Sequence, residues 1–512
     1  MLSHVCLLAL SLFLGLTLRV QAPPDPNYVT NGDFENGLTG WSATGHVSVE
    51  TESPLAGTKS LKIGPGKAVV SQRYEVPGLR IMEVGATCRL SSPETAVIVR
   101  VRCYDGRGRV VMDLRQGFDP KKALDSKGVG TGIYFKTQGN TSHVVFSIEK
   151  TSADAGIATV DSAEIHDYDK ERQFHSPTCD LQAYMRPIWE GSEVTNESVL
   201  LLSTGGAPPR GRLLFHPTRV LSVRDSSLST EYKEREDYRV EGTEIVALPG
   251  SKMTSVKDTD FPKGDYPWLS IAGKHVAVTY THEDVWQGPT PVYEGSHLTE
   301  TMAKLRGGKP VTVVALGDSI TLGINVSGYR GEAPYMPTWP ELATGKLAEL
   351  YNNHRIKLYN TGLGGMTSQW GKDNARDAVA TLNPDLVTIA FGMNDFWSIT
   401  PAEFRSNIQS IISTVRAKRP KAEFILISSI RFDPAYTADP TYVGHLTGYQ
   451  SELKSLAGEG ICLLDLTALS EYLYKAKSAK DLLADPMHPD DFLARWFAQS
   501  LVAMLSPTRQ TR

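Results

Sequence analysis

The stretch Val311 to Gly323, VTVVALGDSITLG, runs from an apolar, β-branched segment into a small polar cluster. Five apolar residues between Val311 and Leu316 suit the middle of a parallel sheet, where helices cover both faces. Gly317-Asp318-Ser319 then falls at the carboxyl end of that strand, the rim on which open α/β sheets bind ligands. A serine delivered there is a candidate nucleophile for acyl transfer, provided that a base stands ready to take its proton. Strand-Gly-Asp-Ser also makes a turn and a helix cap, so the partners of Ser319 decide between the two readings.

The elements around Ser319 have the rhythm such a site needs. After Leu298 the runs VTVVAL, KLYNTG, DLVTIAF, EFILISSI and ICLLDLT alternate with segments of helical spacing. Thr400-Pro401-Ala402-Glu403 forms a capping-box helix start, after which Phe404, Ile408, Ile411 and Val415 mark one buried face. Right-handed crossovers make this a three-layer α/β domain with a parallel five-stranded sheet, expected over residues 298–508. Its site belongs on the carboxyl rim.

Two β-rich segments precede it. Residues 23–170 carry short alternating runs such as KAVVSQRYEV, TAVIVRVRCYD and SHVVFSIEK, with no helix between them, and predict a β-sandwich. Residues 175–297 alternate again between strand and turn and predict a second β-sandwich, with a hairpin tip at Val240-Glu241-Gly242-Thr243. His282, Glu283 and Asp284 imitate a metal cluster there, but neighbours on a strand point to opposite faces, so an exposed loop is expected.

With 512 residues the chain exceeds a single core and is expected to hold three domains. A net charge of -4 with scattered Lys and Arg leaves no basic stripe for nucleic acid. The opening run VCLLALSLFLGLTL is shorter than the ~20 residues needed to span a bilayer, and Val20-Gln21-Ala22 resembles a cleavage site. Residues 1–22 are therefore expected to be an export signal and the protein to be secreted, periplasmic or on the cell surface. His4 in place of Lys or Arg before that run keeps an uncleaved anchor open. Cys88, Cys103, Cys179 and Cys462 remain after cleavage; Cys88 and Cys103 could pair or stay as buried thiols. Asn140, Asn196 and Asn325 each begin a glycan acceptor sequence.

Three further motifs fall where the α/β topology needs them: YNTGLGGMTS after the second run, FGMNDFW after the third and ADPMHPDD before the last helix. With Gly317-Asp318-Ser319 they resemble, in order, the four blocks of the SGNH, or GDSL-type, hydrolase superfamily. The α/β-hydrolase elbow G-x-S-x-G fails because Thr321 replaces its last glycine. The opening VTNGDFENGLTGWSATG and the segment VDSAEIHDYD are similar to jelly-roll carbohydrate-binding modules. Trp41 and Tyr74 in that module could stack on sugar, and core is the favoured reading.

His488 is the only histidine of the C-terminal domain in such a block and is the expected base. Asp485 can turn back within a short Pro-bounded loop to hold the imidazole's tautomer and stabilise its cation. On this division of labour, Asp485→Asn should cost less than His488→Ala. The resemblance implies an oxyanion hole built from the backbone N–H of Ser319, that of Gly365 and the side-chain amide of Asn394. Asn360, Asp318 and Asp395 are expected to fasten loops. Trp370, Phe396, Trp397 and Tyr436 flank the blocks as a candidate sugar platform.

The reading is a serine esterase that removes acetyl or other short acyl groups from a polysaccharide or oligosaccharide. It uses neither metal nor organic cofactor, and its N-terminal module is similar in placement to those of some carbohydrate esterases. A lipase or thioesterase of the same superfamily and a polysaccharide-binding protein with a degenerate hydrolase domain are the alternatives.

Overall fold

The computed structural model describes residues 29–76, 78, 80–138, 140–167, 178–261, 271–436 and 440–507. The expected signal segment lies outside the described residues. The chain divides into two compact units, one up to Gln173 and one from Phe174 onward.

The first unit is a sandwich of two five-stranded antiparallel sheets. Strand Val97–Asp105 alternates buried and half-buried residues along its whole length, the period-two pattern of a strand with one face on a core. Trp41 lies in that core, its ring 5.3 Å from Phe34 and 6.1 Å from Phe146, with its Nε1–H on the Asn31 carbonyl. Tyr74 is half-buried and hydrogen-bonded to Gln72. Cys88 and Cys103 are free buried thiols.

The second unit combines the expected middle segment with the α/β segment. Between Glu193 and His282 the chain forms a four-stranded antiparallel sheet and a five-stranded sheet whose one parallel pairing joins Leu202 to Val256. The hairpin Tyr238–Glu241 and Glu244–Ala247 turns at Gly242, whose φ of +60° is a conformation that glycine adopts without steric penalty. His282 departs from the expected exposed loop. It ends strand Val276–His282 and is buried, its ring stacked 4.0 Å from Phe215, while Glu283 and Asp284 are exposed. The inward alternation of that strand continues to its last residue.

The C-terminal sheet is parallel throughout, in the order Ile356–Asn360, Val311–Gly317, Leu386–Ala390, Glu423–Ile427, Ile461–Leu464. Helix Pro401–Lys418 begins at a Thr400–Glu403 capping box and buries Phe404, Ile408, Ile411 and Val415. Chain order reverses direction in the sheet beside Val311–Gly317, which places a crevice at the carboxyl end of that strand. Among the described residues, no helix is long and apolar enough to cross a membrane.

Candidate active site

Strand Val311–Gly317 delivers Ser319 to this crevice through a one-turn helix, Ser319–Leu322. Gly317 permits the sharp exit. A Cβ there would lie 2.1 Å from Thr321 Oγ1 and 2.4 Å from the Ala390 carbonyl oxygen. Asp318 caps the turn by accepting the Ile320 N–H at 3.0 Å, and its burial pushes its carboxyl up to about 7. Ser319 is thus the first residue of the turn, where an N–H has no intrahelical acceptor.

The loop before helix Asp491–Leu505 supplies the partners. His488 Nε2 lies 2.8 Å from Ser319 Oγ across 169 residues of sequence, and its Nδ1 lies 2.8 and 3.0 Å from the two Asp485 oxygens. A carboxylate only accepts, so Nδ1 carries the proton and Nε2 offers its lone pair to the Ser319 hydroxyl. Burial works to lower the His488 pKa, but the charge and hydrogen bonding of Asp485 outweigh it and raise the imidazole above its ordinary value. Burial likewise works to raise Asp485, and His488 together with the Met487 and His488 backbone N–H groups holds it below the ordinary value.

Asp485 has a further partner that sequence reasoning missed. The Asn325 amide, 6% exposed, donates to Asp485 Oδ2 at 2.6 Å. In sequence Asn325 reads as a glycan acceptor, Asn-Val-Ser. The structure corrects this, since its side chain is buried on Asp485 and Ser327 of the same triplet is bound by Asp491 at 2.7 and 2.5 Å. Its left-handed φ of +73° is visible only in the structure, and the local sequence offers no signal for this role.

The other motifs are stitched to the same rim. Asn360 donates to the Thr321 carbonyl at 2.8 Å and accepts the Gly362 N–H at 3.0 Å. Asp395, pushed up to about 6 by burial, accepts the N–H groups of Ser368 at 2.9 Å and Gly392 at 3.1 Å. Asn394 gives one amide N–H to the Met366 carbonyl at 3.0 Å, and Gly365 just before Met366 has φ of +74°. Among the described residues, no acceptor in the chain takes the backbone N–H of Ser319 or Gly365.

The four aromatic candidates separate. Trp397 is 40% exposed and meets Tyr436 edge-on at 6.2 Å. Phe396 has no exposed surface; it packs between Trp397 at 4.3 Å and Phe432 at 5.2 Å, and a fully buried ring cannot meet a sugar, which corrects its expected place among the candidates. Trp370 is 8% exposed on the buried face of helix Ser368–Ala378.

This arrangement can deprotonate a hydroxyl and stabilise the cation so formed. Residues 315–493 match the GDSL-like Lipase/Acylhydrolase family. No curated protein sequence matches the chain. Among solved structures, a catalytic mutant of Axe2, an acetylxylan esterase from Geobacillus stearothermophilus, is similar at 20% identity and TM-score 0.32, over 39% of this chain and 97% of that one. A family 16 carbohydrate-binding module is similar at 23% identity and TM-score 0.24, over 27% and 99%. The enzymatically active domain of bacteriophage CBA120 tailspike protein 4 is similar at 16% identity and TM-score 0.24, and the chain spans only 21% of its length. With a strand-borne serine, a histidine in reach of it and the family's motifs in order along the rim, residues 315–493 form a GDSL-like lipase/acylhydrolase domain.

Proposed function

We propose that the protein is an exported serine esterase that removes acetyl or similarly short acyl groups from a polysaccharide through an acyl-Ser319 intermediate. The observation that carries the chemistry is the continuous relay from Ser319 Oγ through His488 to Asp485, with both links at 2.8 Å. His488 takes the Ser319 proton as Oγ attacks the acyl carbonyl, then gives it to the leaving sugar oxygen; a water repeats the cycle to release the acid. Negative charge on the carbonyl oxygen is met by the N–H groups of Ser319 and Gly365 and by the second N–H of Asn394, each donor contributing ~3–4 kcal/mol in the transition state.

The carbohydrate half of the reading is supported by the resemblance of the N-terminal opening to sugar-binding jelly rolls and by the two-sheet sandwich that this segment forms. Such a module raises the effective concentration of the esterase on a polymer. Export is supported by the short apolar run that opens the chain. The test is Ser319→Ala, with acetate release measured from acetylated xylan and from a chromogenic acetate, and with organophosphonate labelling of the wild type. Wild-type turnover and labelling that the variant loses support the proposal; turnover retained by Ser319→Ala overturns it. Faster wild-type turnover on long acyl chains than on acetate would replace it with the lipase reading.

A further inference from the structure

The relay leaves unexplained a buried polar network where residues 477–484 meet the β strands that precede the α/β sheet. Lys477 and Glu197 both have fully buried side chains, with Nζ 2.5 Å from Glu197 Oε1 and 2.7 Å from the Ser198 carbonyl. Glu197 also accepts from the Tyr280 hydroxyl at 2.6 Å and from the Leu214 N–H at 2.8 Å. Four residues further on, Asp481 Oδ1 accepts the Leu200 N–H at 2.7 Å, and His275 Nε2 donates to the Lys480 carbonyl at 2.7 Å. The Ala484 carbonyl then accepts two N–H groups, from Ile271 at 2.8 Å and Ala272 at 3.1 Å. Leu200 and Ile271 are held in one apolar cluster with Val256, so these donors stand on a packed base.

Ala484 is the hinge of the matter. Its carbonyl is gripped by Ile271 and Ala272, its own N–H donates to the His488 carbonyl at 2.9 Å, and Asp485 is the next residue. Replacing a buried ion pair with apolar residues often stabilises a protein, so the Lys477–Glu197 pair is poorly explained by stability alone and better explained by fixing one geometry. The loop it fixes must hold Nε2 within hydrogen-bond reach of a hydroxyl on another element.

We propose that the β segment between Glu193 and His282 is a positioning element for the His488–Asp485 pair, acting through Asp481 and Ala484. This rests on the reading of His488 as the base. Asp481 is a positioning residue; it touches neither substrate nor Ser319 in this role.

The test compares Asp481→Ala with Asp481→Asn in the full chain. Asn keeps an oxygen for the Leu200 N–H, and Ala does not. A displacement near 1 Å at a reacting group costs on the order of 100-fold, so Asp481→Ala should lose about 10- to 100-fold in kcat on a chromogenic acetate while KM stays within about twofold. Asp481→Asn should restore kcat. The low-field proton resonance of His488 Nδ1–H, read without substrate, should be lost or shifted in Asp481→Ala and return in Asp481→Asn. A folded Asp481→Ala variant with wild-type kcat and an unmoved resonance overturns the proposal, as does an Asn variant as slow as the Ala variant. Should Asp481→Ala fail to fold, Asp481→Ser, with a hydroxyl on a shorter stem, carries the same expectation and the same refutation. Wild-type protein that shows the resonance but hydrolyses no ester would sink the esterase reading and leave the positioning readout intact.

Discussion

Replacing Asp485 with Asn tests the relay most sharply, because the surroundings dictate which way the new amide must face. Asp485 Oδ1 accepts the backbone N–H groups of Met487 and His488, both at 2.9 Å. Those two donors require an oxygen, so the amide NH2 must take the Oδ2 position, where Asn325 stands at 2.6 Å and His488 Nδ1 at 2.8 Å. Asn325 can turn its own amide and present oxygen. His488 Nδ1 lies 2.8 Å from that NH2 position and 3.0 Å from the retained oxygen, so the ring divides between two tautomers: Nδ1–H donating to the oxygen, or a bare Nδ1 accepting from the new N–H. In the second tautomer Nε2 donates to Ser319 Oγ and cannot act as its base. A wrong tautomer held in good geometry costs on the order of 10⁴ in kcat, which at 1.36 kcal/mol per decade is about 5.4 kcal/mol. That figure is the upper bound for Asp485→Asn, because the Nδ1–H tautomer keeps an acceptor in Oδ1; Asp485→Asn should therefore cost less than His488→Ala, and Asp485→Ala, which leaves Nδ1–H neither oxygen, should be slower than Asp485→Asn. Steady-state kcat on a chromogenic acetate at neutral pH measures all three. An Asn variant as slow as His488→Ala would refute this reasoning, since the retained oxygen would then not keep Nδ1 protonated.

Other outcomes follow from the same geometry. His488 must be neutral to accept the Ser319 proton and its pKa lies above the ordinary 6.5, so kcat/KM should fall with acid along a limb whose midpoint lies above that value; a flat profile from mildly acidic to neutral pH contradicts this. Asn394→Ala should lower kcat by about 10²–10³ with little change in KM, because the lost donor serves the transition state; a loss confined to KM would assign Asn394 to ground-state binding. Asn325→Ala removes a buried hydrogen bond to a charged carboxylate and should lower the unfolding free energy by about 1.5–3 kcal/mol in urea titration. An unchanged midpoint would mean that Asp485 finds another donor.

Much of this site is written in short-range pattern. The apolar run before Ser319, the Thr400–Glu403 helix start and the turn that brings Asp485 back to His488 each depend on residues within a few positions of one another. Local chemistry alone specifies them, and the structure places each of these elements as its sequence implies. Neighbours with opposite fates were not legible. Phe396 and Trp397 are adjacent aromatics, yet one is fully buried and the other 40% exposed, because Phe432 packs against the first from another strand's exit loop. His282 and Asn325 failed in the same way: each sits in a stretch that reads as surface, and each is buried by a partner far away in sequence.

By itself the amino-acid order determined the alternation of strand and helix, the rim on which polar motifs collect and the local pairing of an imidazole with its carboxylate. Tertiary structure alone decided that a hydroxyl 169 residues away meets that imidazole, that Asn325 holds the carboxylate, and that Leu200, Ile271 and Ala272 grip the loop between them. The difference has one physical origin. Propensity and periodicity act over a turn or a strand, whereas the closing of a long loop is settled by which buried polar groups find partners once the layers have packed.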